Sequence, residues 1–261
     1  MSCPSSSSSY IIKAGDKLFD IAVQKLGDGN RWREIKQPDG TPFTEDEAKN
    51  LQPGQEICLP IRGGTNKGGF RDFLEALGRR ETGLPSGDPN QYKVENSLSF
   101  MGKYQFGEPL LIDLGYYIPK DGIFFGNGAD KNFWRGTWTG KKGIDSKSQF
   151  LNSPDVQEFA IREEFALNWK RINDTLKGQG KSIDKFLGQE KIFIDRGVSK
   201  TIIITLSGIL AGAHLRGASG LADLLLKDQV SADEFGTSIL EYISELGGYD
   251  VSPVDFENPG F

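Results

Sequence analysis

The 261-residue sequence holds one histidine and two cysteines. That scarcity excludes a metal site built on several imidazoles, and it excludes zinc-ribbon patterns. No metal and no organic cofactor is expected. A basic excess is also missing. Lys and Arg number 31 against 36 Asp and Glu, for a net charge of −5. A chain of that sign lacks the footprint needed to follow nucleic-acid phosphates or to dock on anionic lipid. Long apolar runs are absent as well. The longest uncharged, largely apolar stretch, 201–215, includes Ser207, Gly208, Gly212 and His214. It is too short to span a bilayer, so a buried core helix is expected there and no membrane insertion. Met1 is followed by Ser2-Cys3-Pro4 and serines to Ser9, with neither the basic start nor the apolar stretch of an export signal. The expectation is a chain made in the cytoplasm that reaches its place of action by release or delivery.

What is present suffices for a packed core: 37% apolar residues, with 33 glycines and 26% charged residues. The clearest seam is Arg62-Gly63-Gly64-Thr65-Asn66-Lys67-Gly68-Gly69, whose four glycines read as a flexible linker over 62–69. It separates a small module, 8–61, from a larger one, 70–255.

The small module reads strand, helix, helix, strand. Tyr10-Ile11-Ile12 is β-prone, and Asp16 is placed to cap a helix carrying Leu18, Ile21, Ala22 and Leu26, with Gly27 ending it. A second short helix carries Trp32 and Ile35. Pro53-Gly54 makes a turn, and Ile57-Cys58-Leu59 closes the module before Pro60. The segments Tyr10-Ile11-Ile12-Lys13-Ala14-Gly15-Asp16-Lys17-Leu18-Phe19-Asp20-Ile21-Ala22 and Leu51-Gln52-Pro53-Gly54-Gln55-Glu56-Ile57-Cys58-Leu59-Pro60 resemble a LysM domain. The resemblance implies binding of N-acetylglucosamine polymers such as peptidoglycan or chitin. The groove it implies lies between one loop carrying Gly15, Asp16, Lys17 and Leu18 and another carrying Leu51, Gln52, Pro53 and Gly54. The stretch 36–50 is longer than the family carries, which reshapes that groove. A degenerate module that docks on protein, as in phage-tail-like particles, is the alternative. Cys3 and Cys58 pair only if the first segment lies beside the closing strand; free thiols are expected in a chain made in a reducing compartment.

The larger module reads as mainly helical, so the whole chain is of the α+β class. One helix is expected over 70–82 and another from Ser153-Pro154. The apolar residues of the second fall on two stripes, Val156, Phe159, Ala160 and Leu167 against Ile161, Phe165, Trp169, Ile172 and Leu176, as on a central helix. Ser231 and Glu234 have capping-box spacing before a last helix carrying Phe235, Ile239, Leu240, Ile243 and Leu246. The Gly- and aromatic-rich stretch 116–143 shows no period and reads as a long loop or small lobe.

On the first helix, Phe70, Phe73, Leu74 and Leu77 make one apolar face, and Glu81 falls in its middle. Apolar surroundings and the negative end of the helix both disfavour a charge there. A carboxyl that keeps its proton is what a general acid needs, and Gly83 lets the chain turn away beside it. Glu81-Thr82-Gly83, then Tyr92-Lys93-Val94-Glu95-Asn96 and Met101-Gly102-Lys103-Tyr104-Gln105-Phe106-Gly107, resemble the lysozyme-like peptidoglycan hydrolases. So do Trp138-Thr139-Gly140-Lys141-Lys142-Gly143, Phe150-Leu151, Gln157-Glu158 and Ala211-Gly212-Ala213-His214-Leu215-Arg216-Gly217-Ala218.

The resemblance implies a muramidase cleaving the β-1,4 bond between N-acetylmuramic acid and N-acetylglucosamine. Glu81 is then the acid, and Tyr104, Gln105, Tyr92 and Asn96 are sugar-binding residues of the cleft. Glu95 is the implied second catalytic group, with Asp88 and Glu108 as alternatives. Lytic transglycosylases of the same superfamily use one glutamate alone. Tyr92, Tyr116, Tyr117, Trp134 and Trp138 offer rings for stacking on sugars, with core packing the more ordinary use. His214, between Ala213 and Leu215, reads as a packed histidine with a satisfied ring nitrogen. The expected partner is peptidoglycan or another N-acetylglucosamine polymer. Chitin hydrolysis, or a docking role in an injection particle or phage tail, is the alternative, with an immunity protein as a further partner.

Overall fold

The computed structural model describes residues 3, 7–26, 29–60, 67–120 and 132–257. The chain is of mixed class, with helices predominating and three separate two-stranded sheets among the described residues.

In the small module, β1 (Ser7–Ile11) pairs antiparallel with β2 (Glu56–Pro60), Tyr10 opposite Ile57. Between them lie α1 (Leu18–Leu26), a 3₁₀ turn (Gly29–Glu34) and α2 (Glu45–Lys49). The apolar face Leu18, Ile21, Ala22 and Leu26 of α1 is buried with Ile12, Ile35, Ile57 and Leu59. Three details differ from expectation. The second helix is a 3₁₀ turn ending before Ile35, and α2 is an additional helix whose Thr44–Glu47 capping box supplies its start. Asp16 does not cap α1; its carboxylate accepts from the Lys13 backbone N–H and the Tyr10 hydroxyl, both at 2.8 Å, and tightens the preceding loop. Gly27 lies outside the described residues. Finally, Cys3 and Cys58 are not free thiols but a disulfide, with Cα atoms 5.5 Å apart. The antiparallel pairing of β1 with β2 brings the first segment alongside the closing strand, the condition the pairing required.

Residues 62–66 of the expected linker lie outside the described residues. Its last three are anchored rather than loose: Gly69 bridges Asp250, and the Asp250 N–H donates to Gly68 O at 2.8 Å.

The larger module is built on α3 (Phe70–Thr82), α6 (Pro154–Gly178), α7 (Leu206–Lys227) and α8 (Ile239–Leu246), with the short helices α4 (Glu108–Asp113) and α5 (Lys147–Leu151) between α3 and α6. The helix α7 packs against both α6 and α8. Of the two apolar stripes of α6, Ile161, Phe165, Ile172 and Leu176 are buried and Trp169 is half-buried, while in the other Ala160 is buried and Val156, Phe159 and Leu167 are half-buried. The expected helix over 201–215 starts only at Leu206, where Thr205 caps it with its hydroxyl. Residues 201–203 instead end β6 (Val198–Ile203), which pairs with β5 (Glu190–Asp195) in a hairpin. The helix α8 also begins later than expected, with Ser238 as its cap. Ser231 precedes a tight turn over 233–236 that contains Glu234, and Phe235 stands 63% exposed rather than in the core. The stretch 116–143 contains the short strands β3 (Tyr117–Ile118) and β4 (Thr137–Trp138). Tyr117, Trp134 and Trp138 pack on one another, with Trp138 also against Phe150, so these rings serve packing and not the cleft described below.

The turn carrying Met101 to Phe106 sets the position of the cleft residues. Lys103 is buried and its Nζ lies 2.7 Å from Glu75 Oε1 and 2.9 Å from Glu158 Oε1. Gly102 sits at φ +78, and a Cβ there would lie 2.2 Å from Gln157 Oε1, the atom that accepts the Lys103 backbone N–H. Gly102→Ala therefore combines left-handed strain with loss of a buried hydrogen bond. It is expected to cost about 2 kcal/mol of stability, readable in a denaturant titration at unchanged slope.

Candidate active site

The helix α3 carries Glu81 in its last turn, and Gly83 closes it in the left-handed region at φ 71. The Glu81 side chain is 12% exposed. Its surroundings are not the apolar ones its helical position predicts. The Tyr242 hydroxyl of α8 donates to Glu81 Oε1 at 2.8 Å, and His214 Nε2 of α7 lies 3.4 Å from the same oxygen. On its other side the His214 ring meets the buried Glu164 of α6. Nδ1 lies 2.9 and 3.0 Å from its two oxygens, and Asn168 donates to Oε1 at 3.2 Å. Four helices thus assemble one polar chain, Glu164–His214–Glu81–Tyr242, inside the bundle. His214 is thus packed with its ring nitrogens partnered, as expected, but the partners are carboxylates and one of them, Glu81, lines the cleft described below.

Charge follows from this geometry. Burial opposes a positive imidazole, but Glu164, with help from Glu81, outweighs it and holds the His214 pKa well above its ordinary value. Tyr242 is pushed up by burial and then by the neighbouring Glu81 charge, so it stays a neutral hydroxyl donor. The Arg80 guanidinium, 5.1 Å from the centre of the Tyr242 ring, pairs with Glu245 at 2.9 Å and with Glu241 at 3.7 Å.

Glu81 and His214 form the floor of a cleft of about 600 Å³. One wall carries Asn96, Phe100, Gln105 and Leu110; the other carries Gly217, Asp233, Glu234, Phe235 and Thr237. Gly217 breaks α7 at φ 68, three residues after His214, and so opens the helix at the cleft edge. Gln105 is held in the left-handed region at φ 46, a cost that a cleft residue with a fixed position bears. Its amide donates to Gly102 O at 2.9 Å. The Asn96 side chain accepts from the Leu98 and Phe100 N–H groups, fixing that wall.

Of the sugar-binding residues expected, Asn96 and Gln105 line the cleft and two do not. Tyr104 is fully buried, with its hydroxyl donating to Glu158 at 2.6 Å; Tyr92 donates to the same Glu158 oxygen at 2.9 Å. Both belong to the network that holds Lys103. None of the three carboxylates expected as the second group lines the cleft. Glu95 is paired with Lys147, Asp88 caps a 3₁₀ turn through the Asn90 N–H, and the buried Glu108 accepts from the Phe133 and Trp134 N–H groups. Besides Glu81, the carboxylates that line it are Asp233 and Glu234. Asp233 accepts from the Phe235 and Thr237 N–H groups, and Glu234 lies 3.8 Å from Arg216. The signal for Glu164 was legible: Ile161, Glu164, Phe165, Asn168 and Ile172 share one helical face. That is the same pattern that singles out Glu81. Among the described residues no group of three or more His, Cys, Asp or Glu is placed to hold a metal ion.

A second groove, of about 490 Å³, lies in the small module. Asp16, Lys17, Leu18 and Leu51 line it as the resemblance implies, with half-exposed Phe19 and with Trp32 and Arg33. Glu45, Ala48 and Lys49 of α2, in the long stretch 36–50, supply the rest of its wall. Gly15, Gln52, Pro53 and Gly54 fall outside that lining, Gln52 to Gly54 in the exposed turn before β2.

Comparison of the chain with protein-family models, with curated proteins and with solved structures finds no match.

Proposed function

We propose that the chain cleaves a β-1,4-linked amino-sugar glycan of the peptidoglycan type, with Glu81 as the general acid. The observation that carries this is a carboxyl at the end of a helix, lining a cleft of about 600 Å³, with one oxygen 2.8 Å from the Tyr242 hydroxyl and 3.4 Å from His214 Nε2. Glycosides need an acid held at the leaving oxygen, and fixed placement supplies much of its effect. The walls suit sugars. The Asn96 and Gln105 amides offer polar groups, and the exposed Phe235 ring offers a flat apolar face for a pyranose or an N-acetyl methyl. The groove of the small module, with Trp32 and Phe19 at its rim, holds the same polymer. Tethering the two raises the local glycan concentration toward the millimolar scale.

Two fates remain for the sugar cation. In hydrolysis, water attacks with help from a second carboxylate, and Asp233 and Glu234 line the cleft for that role. In transglycosylation the substrate's own hydroxyl attacks. The absence of Glu95, Asp88 and Glu108 from the cleft favours giving that second reading weight. Mass spectrometry of the soluble products from purified sacculi separates them: reducing ends mean hydrolysis, anhydro ends transglycosylation. Chitin oligomers run in parallel test the chitinase alternative. Sacculi left intact across the pH range, with no muropeptides released, would overturn the assignment in favour of docking.

A further inference from the structure

Building on that reading, we propose that Glu164 and His214 form the proton store from which Glu81 draws, so that both are positioning residues for the acid. Glu81 alone has no apolar shell to keep it neutral: Tyr242 and His214 surround it. The Tyr242 hydroxyl donates to it, and the His214 ring nitrogen lies 3.4 Å from the same oxygen. The His214 side chain is 6% exposed and Glu164 2%, so the pair meets solvent chiefly where His214 lines the cleft.

The imidazole faces few other groups. From α3 comes Glu81, with Arg80 turned to the Tyr242 ring and to Glu241 and Glu245. From α6 come Glu164 and the neutral Asn168. From α8 comes Tyr242, which reaches the imidazole through the shared Glu81 oxygen. On α7 itself Arg216 lies 3.8 Å from Glu234. The positive charge of the ring is thus balanced by two carboxylates, one of which opens on the cleft.

The His214 Nε2–H bond breaks as the Glu81 Oε1–H bond forms, leaving a neutral imidazole whose Nδ1–H is held by Glu164. When glycan fills the cleft, Glu81 gives that proton to the glycosidic oxygen, and the C1–O electron pair leaves with the oxygen. Attack on C1 by water, or by a hydroxyl of the sugar, frees one proton. That proton returns through Glu81 to the ring, and the store is refilled. The arrangement separates two tasks that one side chain in an apolar pocket would combine: holding the proton and presenting it.

The sole histidine makes the test direct. In full-length protein labelled at histidine with ¹³C and ¹⁵N, every imidazole signal is His214. The expected result is an imidazolium that survives above about pH 8, where an unperturbed ring near 6.5 has already lost its proton. Glu164→Gln, which keeps the shape and removes the charge, is expected to lower the midpoint by more than one pH unit, a tenfold loss in proton affinity. Glu81→Gln is expected to lower it as well. A wild-type midpoint at or below the ordinary value overturns the proposal, and so does a midpoint that ignores Glu81→Gln, since the ring then shares no proton with the acid. These readings need no substrate, so they stand or fall apart from the glycan assay. On sacculi, the alkaline limb of kcat/KM should move to lower pH in Glu164→Gln while the acidic side is retained. A uniform loss at every pH would mark Glu164 as structural support only. If Glu164→Gln does not fold, the wild-type and Glu81→Gln titrations still decide the matter.

Discussion

Glu81→Gln is expected to slow release of muropeptides from sacculi by about 10³-fold, within the range that a positioned acid contributes. The substitution is nearly isosteric. The amide oxygen still accepts from the Tyr242 hydroxyl, so α3 and α8 keep their contact, and the fold is expected to persist. What is lost is the O–H that the leaving oxygen needs. Clearance of turbid sacculi, followed alongside a thermal melt, separates the two effects. Lost activity with an unchanged melt supports the assignment, whereas activity equal to wild type removes Glu81 from the chemistry. Binding to insoluble glycan through the small module should persist in the variant, because its groove shares no residue with the cleft.

The largest effect on stability is expected at a residue that never meets substrate. Lys103→Ala should cost about 3–5 kcal/mol, the usual penalty for deleting one member of a buried ion group. Two carboxylates, Glu75 and Glu158, then face each other across the vacated space with the Tyr92 and Tyr104 hydroxyls as remaining donors. Denaturant unfolding reads the loss; a change below about 1 kcal/mol would mean that Glu158 is served well enough by the tyrosines.

The same network sets an acid dependence. Burial works against the Glu158 charge, but the Tyr104 hydroxyl, then Lys103 and Tyr92, outweigh it and hold its carboxyl below the ordinary value of 4.5. A carboxyl depressed on folding contributes stability that is complete above its unfolded pKa and is lost as pH falls through its folded one. The larger module should therefore weaken as the pH drops below the ordinary carboxylate range.

How much could be read from the residues alone follows from where the information lies. The helices α3 and α6 carry their own period of apolar residues, so their existence is local. The β5–β6 hairpin is not legible that way. Ile192 and Ile194 face out at 66% and 60% exposure while Asp195 is buried, so hydrophobicity fails to track exposure along the strand. The Ser231–Glu234 spacing mimics a helix start, yet Asp233 binds the backbone of a turn instead, and the helix waits for Ser238. His214 was obscured by its helix of small residues. Its meaning depends on Glu164, fifty residues away, and on Glu81, and only the packing of α3 and α6 on α7 brings the three together. Glu81 was found by a correct periodicity and an incorrect environment: the position is buried, but its company is polar.

The bond between Cys3 and Cys58 has a further consequence. A thiol pair of this kind stays reduced inside a cell and oxidises outside it. The link spans 55 residues and ties the leading segment to the closing strand, so it removes freedom from the unfolded small module and not from the larger one. Under the function proposed above, this constraint on the small module would set in only where the surroundings are oxidising.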